Sequence, residues 1–105
     1  MEAQRCAYLD MMRRLKDITH LDVHPTITLA PGIHWKLDFF YVDSQGRRYY
    51  EDVKGAITPD FKLKLQMFKN MGHPDGLLIV KGKWRHGFYS YWECLERIEP
   101  NERRY

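Results

Sequence analysis

Asp38, Asp52 and Lys54 are the residues whose types and spacing suit chemistry. They lie in the stretch from His34 to Gly55, HWKLDFFYVDSQGRRYYEDVKG. It reads as two strands around a turn: His34 to Val42 is rich in aromatic and branched residues, Asp43-Ser44-Gln45-Gly46 supplies turn chemistry, and Arg47 to Val53 runs back. Strand alternation sets Asp38 on one face with Lys36 and Phe40, and Asp52 on one face with Lys54. Antiparallel pairing then brings two carboxylates and one ammonium to the same end of a sheet. Carboxylates that close repel each other unless a cation sits between them. Glu51 has the wrong parity and would join them only if the register slipped by one residue.

These groups need elements to hold them. The spacing of Tyr8, Met11, Met12 and Leu15 predicts a helix over Glu2 to Asp17 with that stripe facing the core. Ile18 to Val23 reads as a connector plugged by Ile18, Leu21 and Val23; a short strand follows from Thr26 to Leu29, then the Ala30-Pro31-Gly32 turn. His20, His24 and His34 show no HxxxH or HxH spacing and read as structural or surface groups, with no metal role. A second helix opens with Thr58 as N-cap, Pro59 in the first turn and Asp60 at the positive end, and closes at Gly72. Its apolar stripe is Phe61, Leu65, Phe68 and Met71, and at about 100° per residue Lys64 falls inside that arc. Lys64 must therefore either snorkel or find an anion near the carboxylates; Lys62, Gln66 and Lys69 gather on the other flank.

Gly76 to Val80 is a short apolar run fit for an inner strand. Lys81 to Gly87, KGKWRHG, reads as a basic, aromatic loop that either grips a phosphate backbone and stacks on a base or lays Trp84 down on the domain. Phe88 to Leu95 predicts an outer strand, and Glu96 to Tyr105 a charged tail. Helix, three strands, helix and one or two strands make an α/β sandwich around a small mixed sheet.

With 105 residues the chain makes one domain, 1–105, and a hydrophobic content of 44% with 14% aromatics excludes a disordered chain. No apolar run approaches a membrane span, no signal-peptide pattern opens the sequence, and Cys6 and Cys94 form neither a metal-ligand spacing nor a disulfide framework. A reduced cytoplasmic setting is expected. The net charge of +3 is unevenly spread: residues 54–85 hold seven Lys/Arg against Asp60 and Asp75, a balance of +5, while the remaining ten basic and twelve acidic residues balance to −2. A basic excess directly after the carboxylates suits a phosphate-binding surface, or an ordinary solvated face.

Leu37-Asp38 followed by Asp52-Val53-Lys54, with Glu2 in an N-terminal helix and Val53-Lys54-Gly55 leading to Thr58-Pro59, resembles the PD-(D/E)xK nuclease superfamily. The likeness runs from about Glu2 to Lys81 and is to a small phage-associated branch similar to Holliday-junction resolvases. Leu37 stands where the signature has Pro, and Asp52 where Glu is commoner. The resemblance implies a restriction-endonuclease-like core, a small mixed sheet flanked by two helices. It also implies that Glu2 adds a further acid to the site; otherwise Glu2 is a surface acid favoured by the helix N-terminus.

On this reading Asp38, Asp52 and the Val53 carbonyl are hard oxygen donors for Mg²⁺ or Mn²⁺, and Lys54 orients an attacking water. Lys62, Lys64, Lys81, Lys83, Trp84 and Arg85 are the candidate DNA contacts. The expected activity is metal-dependent endonucleolytic hydrolysis of branched DNA by a homodimer, away from any membrane, in a bacterial or phage-infected cell. An end-directed exonuclease and a catalytically inactive nucleic-acid-binding module are the alternatives. In a third reading, Lys54 merely neutralises two structural acids.

Overall fold

The computed structural model describes the backbone of residues 2–85 and 88–101, and within it the side chains except those of 84, 85 and 88–91. In chain order the elements are α1 (Glu2–Arg14), β1 (Ile18–Val23), β2 (Thr26–Ala30), β3 (Ile33–Lys36), β4 (Phe39–Asp43), β5 (Arg48–Val53), α2 (Pro59–Met71), β6 (Gly76–Arg85) and β7 (Phe88–Ile98). Five strands form one mixed sheet in the order β1-β4-β5-β6-β7, while β2 and β3 form a separate two-stranded ribbon. Only the β5–β6 pair of the large sheet is parallel, and α2 is the crossover such a pair requires. Among the described residues no helix is long and apolar enough to cross a membrane.

The second helix forms where its capping signals stand. Thr58 accepts the Phe61 N–H at 3.1 Å, Pro59 sits in the first turn, and Gly72 closes the helix in the left-handed region at φ 63°. Gly76 then starts β6 because nothing larger fits: a Cβ there would lie 2.7 Å from the Ile98 carbonyl oxygen and from the Tyr49 ring.

Alternation along the strands splits the core between two faces. On one, α1 covers Leu9, Ile18, Phe39, Tyr41 and Tyr49. On the other, α2 and the ribbon enclose Ile27, Leu29, Trp35, Leu37, Phe61, Phe68, Leu77 and Ile79. Trp35 meets Phe61 and Phe68 edge-on at centroid separations of 6.0 and 6.3 Å, tying ribbon to helix.

Several expectations change. The single strand from His34 to Val42 is two strands, broken at Leu37-Asp38. Leu37 and Phe39 have the same parity but are buried in opposite cores, which an unbroken strand cannot arrange. The presumed connector Ile18–Val23 is β1, paired with β4 along the sheet edge. The first helix stops at Arg14, and of its expected stripe only Met12 packs against the core: Tyr8, Met11 and Leu15 are 37%, 49% and 65% exposed, whereas Arg5 and Leu9 are buried. The inward face of α1 includes an arginine, which hydropathy reads as outward. On α2, Met71 is likewise exposed, and Met67 packs against the core with Leu65. The expected Lys81–Gly87 loop is mostly strand, since β6 continues to Arg85 and pairs with β7; His86 and Gly87 lie outside the described residues.

Candidate metal centre

The break that separates β3 from β4 places Asp38 at the mouth of the sheet. Its backbone is pinned on both sides: the Asp38 N–H donates to the Glu51 carbonyl at 3.2 Å, and the Asp38 carbonyl accepts the His24 N–H at 2.8 Å. Its carboxylate Oδ2 accepts the Val53 N–H at 2.7 Å, taking a position that a continuing β4 would have filled with a backbone carbonyl. A strand residue turns its N–H and C=O to the same side, so the Val53 carbonyl also faces this mouth. Lys54 turns the other way and donates its N–H to Val80 at 2.9 Å.

Asp52 lies on the α2 side of the sheet and is only 3% exposed. Burial, then the neighbouring Asp38 carboxylate, push its pKa up to about 7 against the opposing pull of Lys54. Lys54 Nζ pairs with Asp52 Oδ2 at 2.7 Å, and no other donor among the described residues reaches that oxygen. The Lys54 amine also lies 4.8 Å from the centroid of the Phe61 ring, so the first turn of α2 fixes its position.

Glu51, one residue earlier, points to the opposite face as its parity requires, and it is fully buried. Arg5 Nε and Nη2 donate to its two oxygens at 2.7 and 2.6 Å, and the Tyr41 hydroxyl donates at 2.7 Å. Although burial works to lower it, the Arg5 pKa is held above its ordinary value by the bond to Glu51. Burial, with Glu51 alongside, raises the Tyr41 pKa, keeping the phenol a neutral donor. Glu51 is therefore satisfied and unavailable as a substitute ligand. Its bridge to Arg5 also fixes the register of α1 on β5.

That register carries Glu2 to the same mouth. Glu2 Oε1 lies 2.6 Å from His24 Nε2, and one ligand atom each from Glu2, His24 and Asp38 fall within 4.8 Å of one another. The sequence reads His24 as a structural or surface group; the structure brings its ring to Glu2 and Asp38, the three residues coming from α1, the β1–β2 turn and the break just before β4. The usable signal was His24-Pro25 between two strands, where a sharp turn holds His24 at φ 59°.

The basic candidates are less concentrated than the sequence suggests. Lys64 does not turn toward the carboxylates; it pairs with Asp60 on its own helix at 3.3 Å. Lys62 is exposed, Lys69 pairs with Glu96 at 3.0 Å and Lys83 with Glu93 at 2.5 Å, so β7 acids offset part of the segment's charge. Lys81 joins Lys54, Gly55, Ala56, Ile57 and Leu95 around a recess of about 110 Å³. The side chains of Trp84 and Arg85 lie outside the described residues.

The chain matches no family model, no curated protein and no solved structure. Two neighbouring carboxylates, Asp52 buried and Asp38 half-buried, with a backbone carbonyl turned toward the same mouth, are hard oxygen donors of the kind a divalent cation takes. The residues fit Mg²⁺ or Mn²⁺.

Proposed function

We propose that this protein is a divalent-metal-dependent nuclease that hydrolyses phosphodiester bonds in DNA. The observation that carries the reading is the buried Asp52 carboxylate, held beside the Asp38 carboxylate with Lys54 at 2.7 Å at the open end of β5. Two neighbouring carboxylates against a single ammonium leave the site short of positive charge, whereas Glu51 on the other face is fully matched by Arg5 and Tyr41.

Asp38, Asp52 and the Val53 carbonyl would hold the cation, and Glu2 borders it. A divalent ion there supplies charge neutralisation on the phosphate and easier deprotonation of water. The chain's own residues do the rest. Lys54, anchored over Phe61, orients the attacking water and favours its hydroxide form electrostatically. Lys81, sharing the recess with Lys54, offers a second ammonium to the phosphate backbone. The mixed five-stranded sheet with its two helices is compatible with the α/β core that the nuclease resemblance implies.

The finer reading is a junction-resolving endonuclease working as a homodimer. With Lys64, Lys69 and Lys83 paired to acids, one protomer offers few phosphate contacts. Two protomers on a branched substrate would multiply those contacts without new chemistry. The test is a panel of end-labelled four-way junctions, linear duplexes and single strands of matched sequence, with and without Mg²⁺. Metal-dependent cuts near the branch point are expected. Trimming from ends would replace the resolvase with an exonuclease, and undiminished cleavage in excess EDTA would remove the metal mechanism.

A further inference from the structure

The metal-ligand expectation above is all oxygen, yet the structure places an imidazole at the same mouth. We propose that Glu2, His24 and Asp38 form a mixed nitrogen–oxygen site for a first-row transition dication, adjoining the Asp38–Asp52 position and sharing Asp38 with it. The inference deepens the metal chemistry proposed above and rests on it through that shared carboxylate.

Three observations lead there. The ligand atoms of the three residues already lie within 4.8 Å of one another although they come from three elements. Two ligands on opposite sides of a cation at about 2.2 Å stand about 4.4 Å apart, so closure needs only small side-chain rotations. Glu2 and His24 meet at 2.6 Å, a separation at which a cation can replace the shared proton. Independently, the Asp52 carboxylate beside Asp38 is buried, with a side chain 4% exposed and Lys54 paired to it at 2.7 Å. Two neighbouring carboxylates against one ammonium leave room for further positive charge at the mouth.

The arrangement is also held in place from outside. The Val53 N–H fixes the Asp38 carboxylate, the His24 N–H is tied to the Asp38 carbonyl, and the Arg5–Glu51 pair sets Glu2 one turn away on α1. Glu2 and His24 are about half exposed, which leaves open positions for water or a phosphate oxygen. Hard, strongly hydrated Mg²⁺ prefers oxygen, whereas an imidazole favours the first-row transition ions. His24 is thus the residue that sets metal selectivity.

The probe is Mn²⁺ itself, followed by pulsed electron paramagnetic resonance and by calorimetric competition with Mg²⁺. His24→Asn is the informative variant, because asparagine tolerates the left-handed backbone at φ 59° and removes the imidazole. The wild-type chain is expected to show nitrogen coupling to bound Mn²⁺ and about tenfold or greater preference over Mg²⁺. His24→Asn, melting like the wild type, is expected to lose the coupling and the preference. Asp52→Asn is expected to keep both. Mn²⁺ bound without nitrogen coupling, or equally well by His24→Asn, would overturn the inference and leave Glu2 and His24 as a hydrogen-bonded pair. Coupled Mn²⁺ with no DNA cleavage would sink the nuclease reading and leave this site standing; Mg²⁺-driven cleavage with uncoupled Mn²⁺ would do the reverse.

Discussion

Glu51 and Asp52 are adjacent acids, both buried, on opposite faces of one strand. On the α1 face, Glu51 receives two bonds from Arg5 and one from Tyr41. On the α2 face, Asp52 has a second carboxylate for a neighbour and one ammonium, Lys54, set against the two. The first environment is what a buried charge needs to remain folded. The second is costly in the chain alone, and that cost is the signature of a group kept for a ligand.

The contrast breaks most readily through activity. Asp52→Asn and Asp38→Asn are expected to lower DNA cleavage about a thousandfold or more, while circular dichroism shows an intact fold. Lys54→Ala should reduce turnover by a comparable factor with little change in substrate affinity, because its role lies at the transition state. Retained cleavage in Asp52→Asn would erase the distinction between the two acids.

Stability should respond the other way round. Arg5→Ala leaves Glu51 buried without a countercharge, with only the Tyr41 hydroxyl bond, and is expected to cost about 3–5 kcal/mol in denaturant unfolding. Asp52→Asn should cost nothing, or stabilise the metal-free chain at neutral pH. Equal losses would mean that Asp52 is as structural as Glu51.

A pH series sharpens the same point. Burial beside Asp38 pushes Asp52's pKa up to about 7 from its ordinary 3.8, so the folded state binds that proton more tightly than the unfolded one. The stability this contributes is full below the unfolded value and is lost as pH rises through about 7. Thermal melts of metal-free wild type should show that decline, and Asp52→Asn should flatten it.

The smallest expected effects are on the helix. Lys64→Ala and Lys69→Ala break partly exposed pairs, with Asp60 and Glu96, and each should change stability by no more than about 0.5–1 kcal/mol. Activity should distinguish them little, contrary to what the apolar arc around Lys64 suggests. A large loss in Lys64→Ala alone would restore that lysine to the site.

What the sequence made legible was local. Strand parity separated Glu51 from Asp52, and the Thr58, Pro59 and Gly72 signals bounded α2. What it hid depended on distant partners. Arg5 faces inward because Glu51, 46 positions away, accepts from it. Leu37 and Phe39 serve different cores, which no period-two pattern records. His24 reaches the site only because β1 is a strand and returns it to the mouth beside Glu2.

The most direct measurement is calorimetric titration of Mg²⁺ into metal-free wild type and Asp52→Asn at pH 8, where Asp52 is ionised. Saturable binding by the wild type, and markedly weaker binding by a folded Asp52→Asn whose remaining Glu2–His24–Asp38 site favours Mn²⁺, is the predicted result. Equal binding by both chains, or no binding by either, would contradict the assignment of Asp52 as the cation's ligand.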